Sequence, residues 1–296
     1  MRGIMALAGA VSLFSAAAAE AACKVSSFAT MAVKETAYGL TTSALVNGQP
    51  VEAVVSSATF FSIMPKETAQ RLGLTLKGMS TAVRVYNEKG SLTTTLGYAQ
   101  RVQFGRQAIT NARFIVTSGE NSDDRVIIGQ NILRLRDAEF DLAAGTIRLM
   151  KAEGCTGKDV VQWAPPERVR SVPLEASNGQ LDTLTFGTVS VNGVPMRTLF
   201  STSGRSSISA EGVRKLRAAI VDDEGHDTVK LETLNISGEV QKNTTLAVRA
   251  GQSDVDLILG RDFFLAHRVY IANGRKTLFF AAVEGGTAPT TVADAN

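Results

Sequence analysis

The chain has only two histidines and two cysteines among its 296 residues. That supply is too small for a His- or Cys-built metal cluster, an iron–sulfur centre or a disulfide-dense scaffold. Blocks of like charge are also missing. Lys and Arg (31) nearly balance Asp and Glu (28) for a net charge of +3, so neither a nucleic-acid arm nor a polybasic membrane patch is expected. The apolar run from Ile4 to Phe14 falls far short of the roughly 20 residues of a spanning helix, and no membrane span is expected. There is no Gly-rich phosphate loop, calcium loop or metal-ligand spacing, so no cofactor and no metal are expected. What remains is a chain with 44% hydrophobic and 20% charged residues, long enough for two packed cores.

Residues 1–21 have the three-part layout of a secretory signal: Arg2, the apolar run, then small residues ending in Ala19-Glu20-Ala21. Cleavage is expected after Ala21, giving a periplasmic or secreted product, and the Ala-rich signal looks bacterial. Two cysteines then remain, Cys23 and Cys155. In an exported chain they read first as one disulfide. The alternatives are two unpaired thiols, or acylation of Cys23, for which Glu20 is a poor third residue upstream.

A repeat organises the rest. Residues 46–63 (VNGQPVEAVVSSATFFSI) align without gaps to 191–208 (VNGVPMRTLFSTSGRSSI), with seven identities in eighteen positions. Residues 126–150 match 257–280 with a two-residue gap. Each unit therefore has the same order: a hairpin, a polar turn, a short helix, further strands and an apolar run ending in Ile/Leu-Gly. Asn47-Gly48 and Asn192-Gly193 are hairpin-turn dipeptides. Helices are predicted from Pro65, as the first helical residue, to Leu72 and from Ala210 to Leu216 after a Ser209 cap. Long hairpins are predicted around Asn87–Gly90 and Ser237–Glu239. The domain reading is a first lobe at 24–152, a connector at 153–175 that holds Pro165, Pro166, Pro173 and Trp163, a second lobe at 176–284 and a disordered tail at 285–296.

Two strand–loop–helix units, each ending in an apolar strand with Ile/Leu-Gly, resemble the retropepsin-like and pepsin-like aspartic proteases over most of the mature chain. The likeness is strongest to bacterial exported proteins with two such units. It implies a mainly β fold with a few short helices: two tandem retropepsin-like barrels in a bilobed arrangement, with no need for a homodimer. It also implies peptidase chemistry at two Asp-Thr/Ser-Gly loops, each braced by an Ile-Leu-Gly strand. The braces match at Ile127-Ile128-Gly129 and Ile258-Leu259-Gly260. The loops do not. They read Ser56-Ser57-Ala58-Thr59 and Ser201-Thr202-Ser203-Gly204, so both catalytic aspartate positions hold serine.

That substitution decides the chemistry. Two carboxylates about 3 Å apart share one proton, activate a water and protonate the leaving amine. Two hydroxyls supply neither base nor acid at ordinary pH. No other acid stands in for them: Glu52 is four strand residues, about 13 Å, behind Ser56, and Arg197 is its counterpart. Asp262 after the second brace reads as structural, with Asn131 as its counterpart. Asp137, Glu139 and Asp141 read as a solvated strand face. A serine nucleophile needs a base, and His226 and His267 sit in no recognisable triad context. The expectation is a proteolytically inactive monomer that holds a peptide or protein segment in an inter-lobe groove, with Asn87–Gly90 and Ser237–Glu239 as flaps. An active aspartic endopeptidase with a non-standard site is the alternative.

Overall fold

The computed structural model of the chain describes residues 22–79, 85–86, 92–117, 125–175, 184–250 and 254–283. The expected signal segment, the hairpin tip Asn87–Gly90 and the expected tail lie outside them. The first half runs β1 (Lys24–Ala32), β2 (Lys34–Thr36), β3 (Gly39–Val46), β4 (Gln49–Val55), β5 (Ile63–Pro65), α1 (Lys66–Arg71), β6 (Thr75–Gly78), β7 (Val85–Tyr86), β8 (Leu92–Thr93), β9 (Thr95–Phe104), β10 (Gln107–Thr117), β11 (Val126–Ile128), α2 (Gln130–Leu133), β12 (Asp137–Asp141) and β13 (Thr146–Glu153). The second half runs β14 (Arg170–Pro173), β15 (Phe186–Val191), β16 (Val194–Phe200), β17 (Ser207–Ser209), α3 (Ala210–Leu216), β18 (Val221–Asp223), β19 (His226–Ile236), β20 (Glu239–Arg249), β21 (Leu257–Leu259), α4 (Arg261–Ala266), β22 (His267–Ala272) and β23 (Thr277–Ala282).

The strand order β3-β4-β11-β5-β10-β9 closes on itself through a β3–β9 pairing, making a six-stranded barrel. In the second half β15-β16-β21-β17-β20-β19 closes in the same way through β15–β19. The fold is therefore mainly β, with two barrel lobes and short helices. The dipeptides Asn47-Gly48 and Asn192-Gly193 make the tight turns of equivalent hairpins, and both residues of each have positive φ, as a type I′ turn requires. Ser209 caps α3, its Oγ accepting from Gly212 N at 3.0 Å. Pro65 is not the first helical residue. It pairs with Thr117 as the last residue of β5, and its extended ψ of 146° makes it the cap of α1 instead.

The ends of both units leave the barrels and join a shared sheet, ordered β1-β13-β12-β22-β23-β14. At its centre Ala138, Glu139 and Phe140 pair antiparallel with Ile271, Tyr270 and Val269, tying one lobe to the other. The segment after Cys155 covers one face of this sheet with buried Val160, Val161 and Val169. There the guanidinium of Arg268 lies 4.8 Å from the centre of the Trp163 ring. Two of the three acidic residues of β12 are buried rather than solvated, Glu139 at 3% exposed and Asp141 at 8%, while Asp137 is half-buried. Their solvation is replaced by arginines, since Arg148 and Arg268 reach Glu139 at 2.7 and 2.9 Å and Asp141 at 3.8 and 3.4 Å. Alternation within one strand could not show that a connector would cover it. Cys23 and Cys155 form a disulfide across 132 residues, which takes the sulfur that acylation of Cys23 would need.

The flap assignment in the second unit is corrected by the strand register. β6 pairs with β9 and β18 with β19, so the counterpart of the β7–β8 hairpin is the turn at Glu224-Gly225. Ser237–Glu239 is instead the β19–β20 turn, the counterpart of the β9–β10 turn at Gly105. Its tip is tied to the shared sheet, with Ser237 Oγ donating to the Ser171 carbonyl at 2.6 Å and Glu239 Oε1 2.8 Å from His267 Nε2. The acidic stretch before His226 hides this second hairpin from a hydrophobicity pattern. There Asp222 Oδ1 accepts from Gly225 N at 2.8 Å and sets the turn.

Candidate functional site

β4 and β16 run beside the brace strands β11 and β21 in parallel register, and each delivers its loop to the same point between the lobes. Ser56 N donates to Ile128 O at 3.0 Å and Ser201 N to Leu259 O at 2.9 Å. Glycine follows each brace because nothing larger fits: a Cβ on Gly129 would lie 2.7 Å from the Phe61 carbonyl carbon, and one on Gly260 2.3 Å from that of Arg205. Both glycine N–H groups donate to serine, Gly129 to Ser62 Oγ at 2.9 Å and Gly260 to Ser206 Oγ at 2.8 Å. Asn131 and Asp262 then anchor those serines through hydrogen bonds to N and Oγ of Ser62 (2.6 and 2.8 Å) and of Ser206 (2.8 and 2.9 Å). Asp262 is thus a structural acceptor.

These contacts revise the gapless alignment of the two units. Ser56 and Ser201 correspond, as do Thr59 and Gly204, whose carbonyls accept from Gln130 N and Arg261 N at 2.8 Å each. Ser62, however, corresponds to Ser206 and not to Ser207. The first loop therefore carries one extra residue in its Phe60-Phe61 pair, where the second has Arg205 alone.

The loops lock to each other. Ser57 N donates to Thr202 Oγ1 at 3.0 Å and Thr202 N to Ser57 Oγ at 2.8 Å, a reciprocal buried pair. One residue on, Ala58 packs against the second lobe's apolar cluster of Phe186, Leu199 and Val255. Its counterpart Ser203 turns its hydroxyl to Ser56, with the two Oγ atoms 2.8 Å apart. Thr59 Oγ1 donates to Ser56 Oγ at 2.8 Å. Ser201 closes its own loop, donating to Ser203 O and accepting from Ser203 N at 3.0 Å each. Among the described residues none of these hydroxyls bonds a carboxylate or an imidazole.

Two further crossings frame the centre, and neither was legible in the sequence. The side chain of buried Gln130 donates to Ser57 O at 2.8 Å and to Thr185 Oγ1 at 3.3 Å in the other lobe. Arg261, in the position equivalent to Gln130, reaches back to Glu35 at 2.9 Å. Each follows a brace glycine, which is the only signal that could have marked it.

The candidate bases are elsewhere. Glu52 is exposed and paired with Lys34 at 3.1 Å, whose hydrogen bond and charge lower its pKa. His267 is 2% exposed, with Nδ1 2.8 Å from Phe263 O and Nε2 on Glu239. His226 is exposed at the start of β19. Cys23, Cys155 and Asp159 offer ligand atoms within 4.8 Å of one another, but both sulfurs are spent in the disulfide.

Comparisons with known proteins bear on the fold. Residues 42–135 match the family described as "gag-polyprotein putative aspartyl protease", a stretch that spans the first barrel and its loop. Over 90% of this chain and 100% of the other, the fold is similar to the crystal structure of an aspartic proteinase from Irpex lacteus, with a TM-score of 0.54 at 12% identity. The molecule has the fold of the bilobed aspartic proteinases. No curated protein matches the sequence. No helix among the described residues is long and apolar enough to cross a membrane.

Proposed function

We propose that this is a proteolytically inactive protein of the aspartic-protease fold, exported to the periplasm or medium. It acts as a monomer whose lobes form an internal pseudo-dimer, and it holds an extended peptide or protein segment in the groove between them. The single observation that carries this reading is the hydroxyl chemistry of the meeting loops: Ser56, Ser201 and Ser203 bond backbone groups and one another. Peptide-bond hydrolysis on this fold needs an ionisable pair to take and return a proton, and a serine hydroxyl without a base does neither. An extended segment would be bound by strand-like main-chain hydrogen bonds, with the β7–β8 hairpin as the flap. The disulfide supports an oxidising compartment.

The test is incubation of purified mature protein with an unfolded protein substrate from acid to neutral pH, with and without an aspartic-protease inhibitor. No cleavage is expected at any pH. Inhibitor-sensitive cleavage that survives Ser56→Ala would replace this reading with an endopeptidase using a different site.

A further inference from the structure

Counting hydroxyl protons at the centre leaves one over. Thr59 spends its proton on Ser56 Oγ, and Ser201 spends its own on the Ser203 carbonyl. Ser56 and Ser203 hold two protons between them but share a single hydrogen bond of 2.8 Å. Among the described residues the remaining proton has no acceptor. Its location follows from burial. Ser56 is 5% exposed and already accepts from Thr59, so leaving the spare proton there would bury an unsatisfied donor. Ser203 is exposed. The chain of donation is therefore Thr59 to Ser56 to Ser203, each bond polarising the next, and it ends in the hydroxyl of the exposed Ser203.

We infer that Ser203 is a specificity-determining donor for one backbone carbonyl oxygen of the bound segment. This inference rests on the groove reading and names what the centre of the groove recognises. The acceptor is neutral, because among the described residues no charged side chain hydrogen-bonds any of the four hydroxyls to balance an anion. The position matters too. Ser203 stands where the fold's usual loop carries glycine, so this donor exists only because the loop departed from that pattern.

The experiment takes a dodecapeptide selected on the wild-type protein from a random display library. Its peptide bonds are then replaced one at a time by the E-alkene isostere, which keeps the planar shape and removes the carbonyl. One replacement is expected to weaken binding about three- to tenfold, the worth of one neutral hydrogen bond. Ser203→Ala should bind the parent peptide more weakly by the same factor and no longer distinguish it from that alkene analogue. Ser203→Gly should behave like Ser203→Ala, and thermal melts check that both fold. A penalty at the same bond that persists in both variants, or a peptide with no sensitive bond, overturns the inference and leaves the groove reading standing. Failure of any library member to bind the wild-type protein overturns both.

Discussion

Ser203 and Ala58 occupy equivalent places in the two loops, yet they face different surroundings. Ala58 meets the apolar cluster of Phe186, Leu199 and Val255, and a methyl group fits there without a partner. Ser203 meets the hydroxyl of Ser56, and a polar side chain satisfies it. At the brace, sterics dominate instead. A Cβ on Gly260 would lie 2.4 Å from Ser206 N as well as against the Arg205 carbonyl, and backbone atoms cannot yield as a flexible side chain can. Gly260→Ala is expected to destabilise the fold by about 3 kcal/mol, the upper end for overpacking, measured by urea unfolding. A loss below about 1 kcal/mol would show that the loop yields easily.

At the scale of elements, the β19–β20 turn is held down by charge. Burial raises the pKa of Glu239, but the hydrogen bond and charge of His267, with help from Gln241 and Arg170, outweigh it and leave the carboxyl below its ordinary range. A carboxyl with a depressed folded-state pKa adds stability above its unfolded pKa, and that stability is lost as pH falls through the folded value. Wild-type protein should therefore exceed Glu239→Gln in stability at neutral pH, and the gap should close between about pH 5 and pH 3. Chemical denaturation across that range measures it, and a gap that widens on acidification would contradict the assignment. The elements also show how far the pattern reached. The helix at Ala210–Leu216 was legible because Ser209 supplies a local cap and the signal is confined to a few residues. The hairpin at Glu224-Gly225 was missed because β18 and the first two residues of β19 are exposed, so no alternation marks the residues beside the turn. The extra residue at Phe60-Phe61 was invisible because both loops end in Ser-Ile, which makes a gapless match look better than the true register.

For the whole molecule, the disulfide closes a loop that includes the first barrel and three strands of the shared sheet, β1, β12 and β13. Cys23 and Cys155 lie 132 positions apart, for which the chain-entropy model gives at most about 5 kcal/mol of stabilisation. Cys23→Ser with Cys155→Ser should lower unfolding stability by up to that amount, and wild-type protein under reducing conditions should match the double variant. Equal stability with and without the bond would place its role outside folding.

The sequence by itself determined the repeated unit, the turn dipeptides, the brace glycines and the serines at both loop positions. These are local: a turn needs its own residues, a brace needs a missing Cβ, and a chemical group is present or absent wherever the chain goes. Only the tertiary structure decided that Ser203 lies against Ser56, that Gln130 and Arg261 cross between lobes, and that Glu139 and Asp141 are buried under a connector. The contacts between the lobes join residues more than 50 positions apart, and the side-chain types involved are as common on a solvated surface as in a buried network. Scarcity of histidine and cysteine limited the chemistry from the start. Which hydroxyl protons are spent, and which one is left over, depended on how two barrels meet.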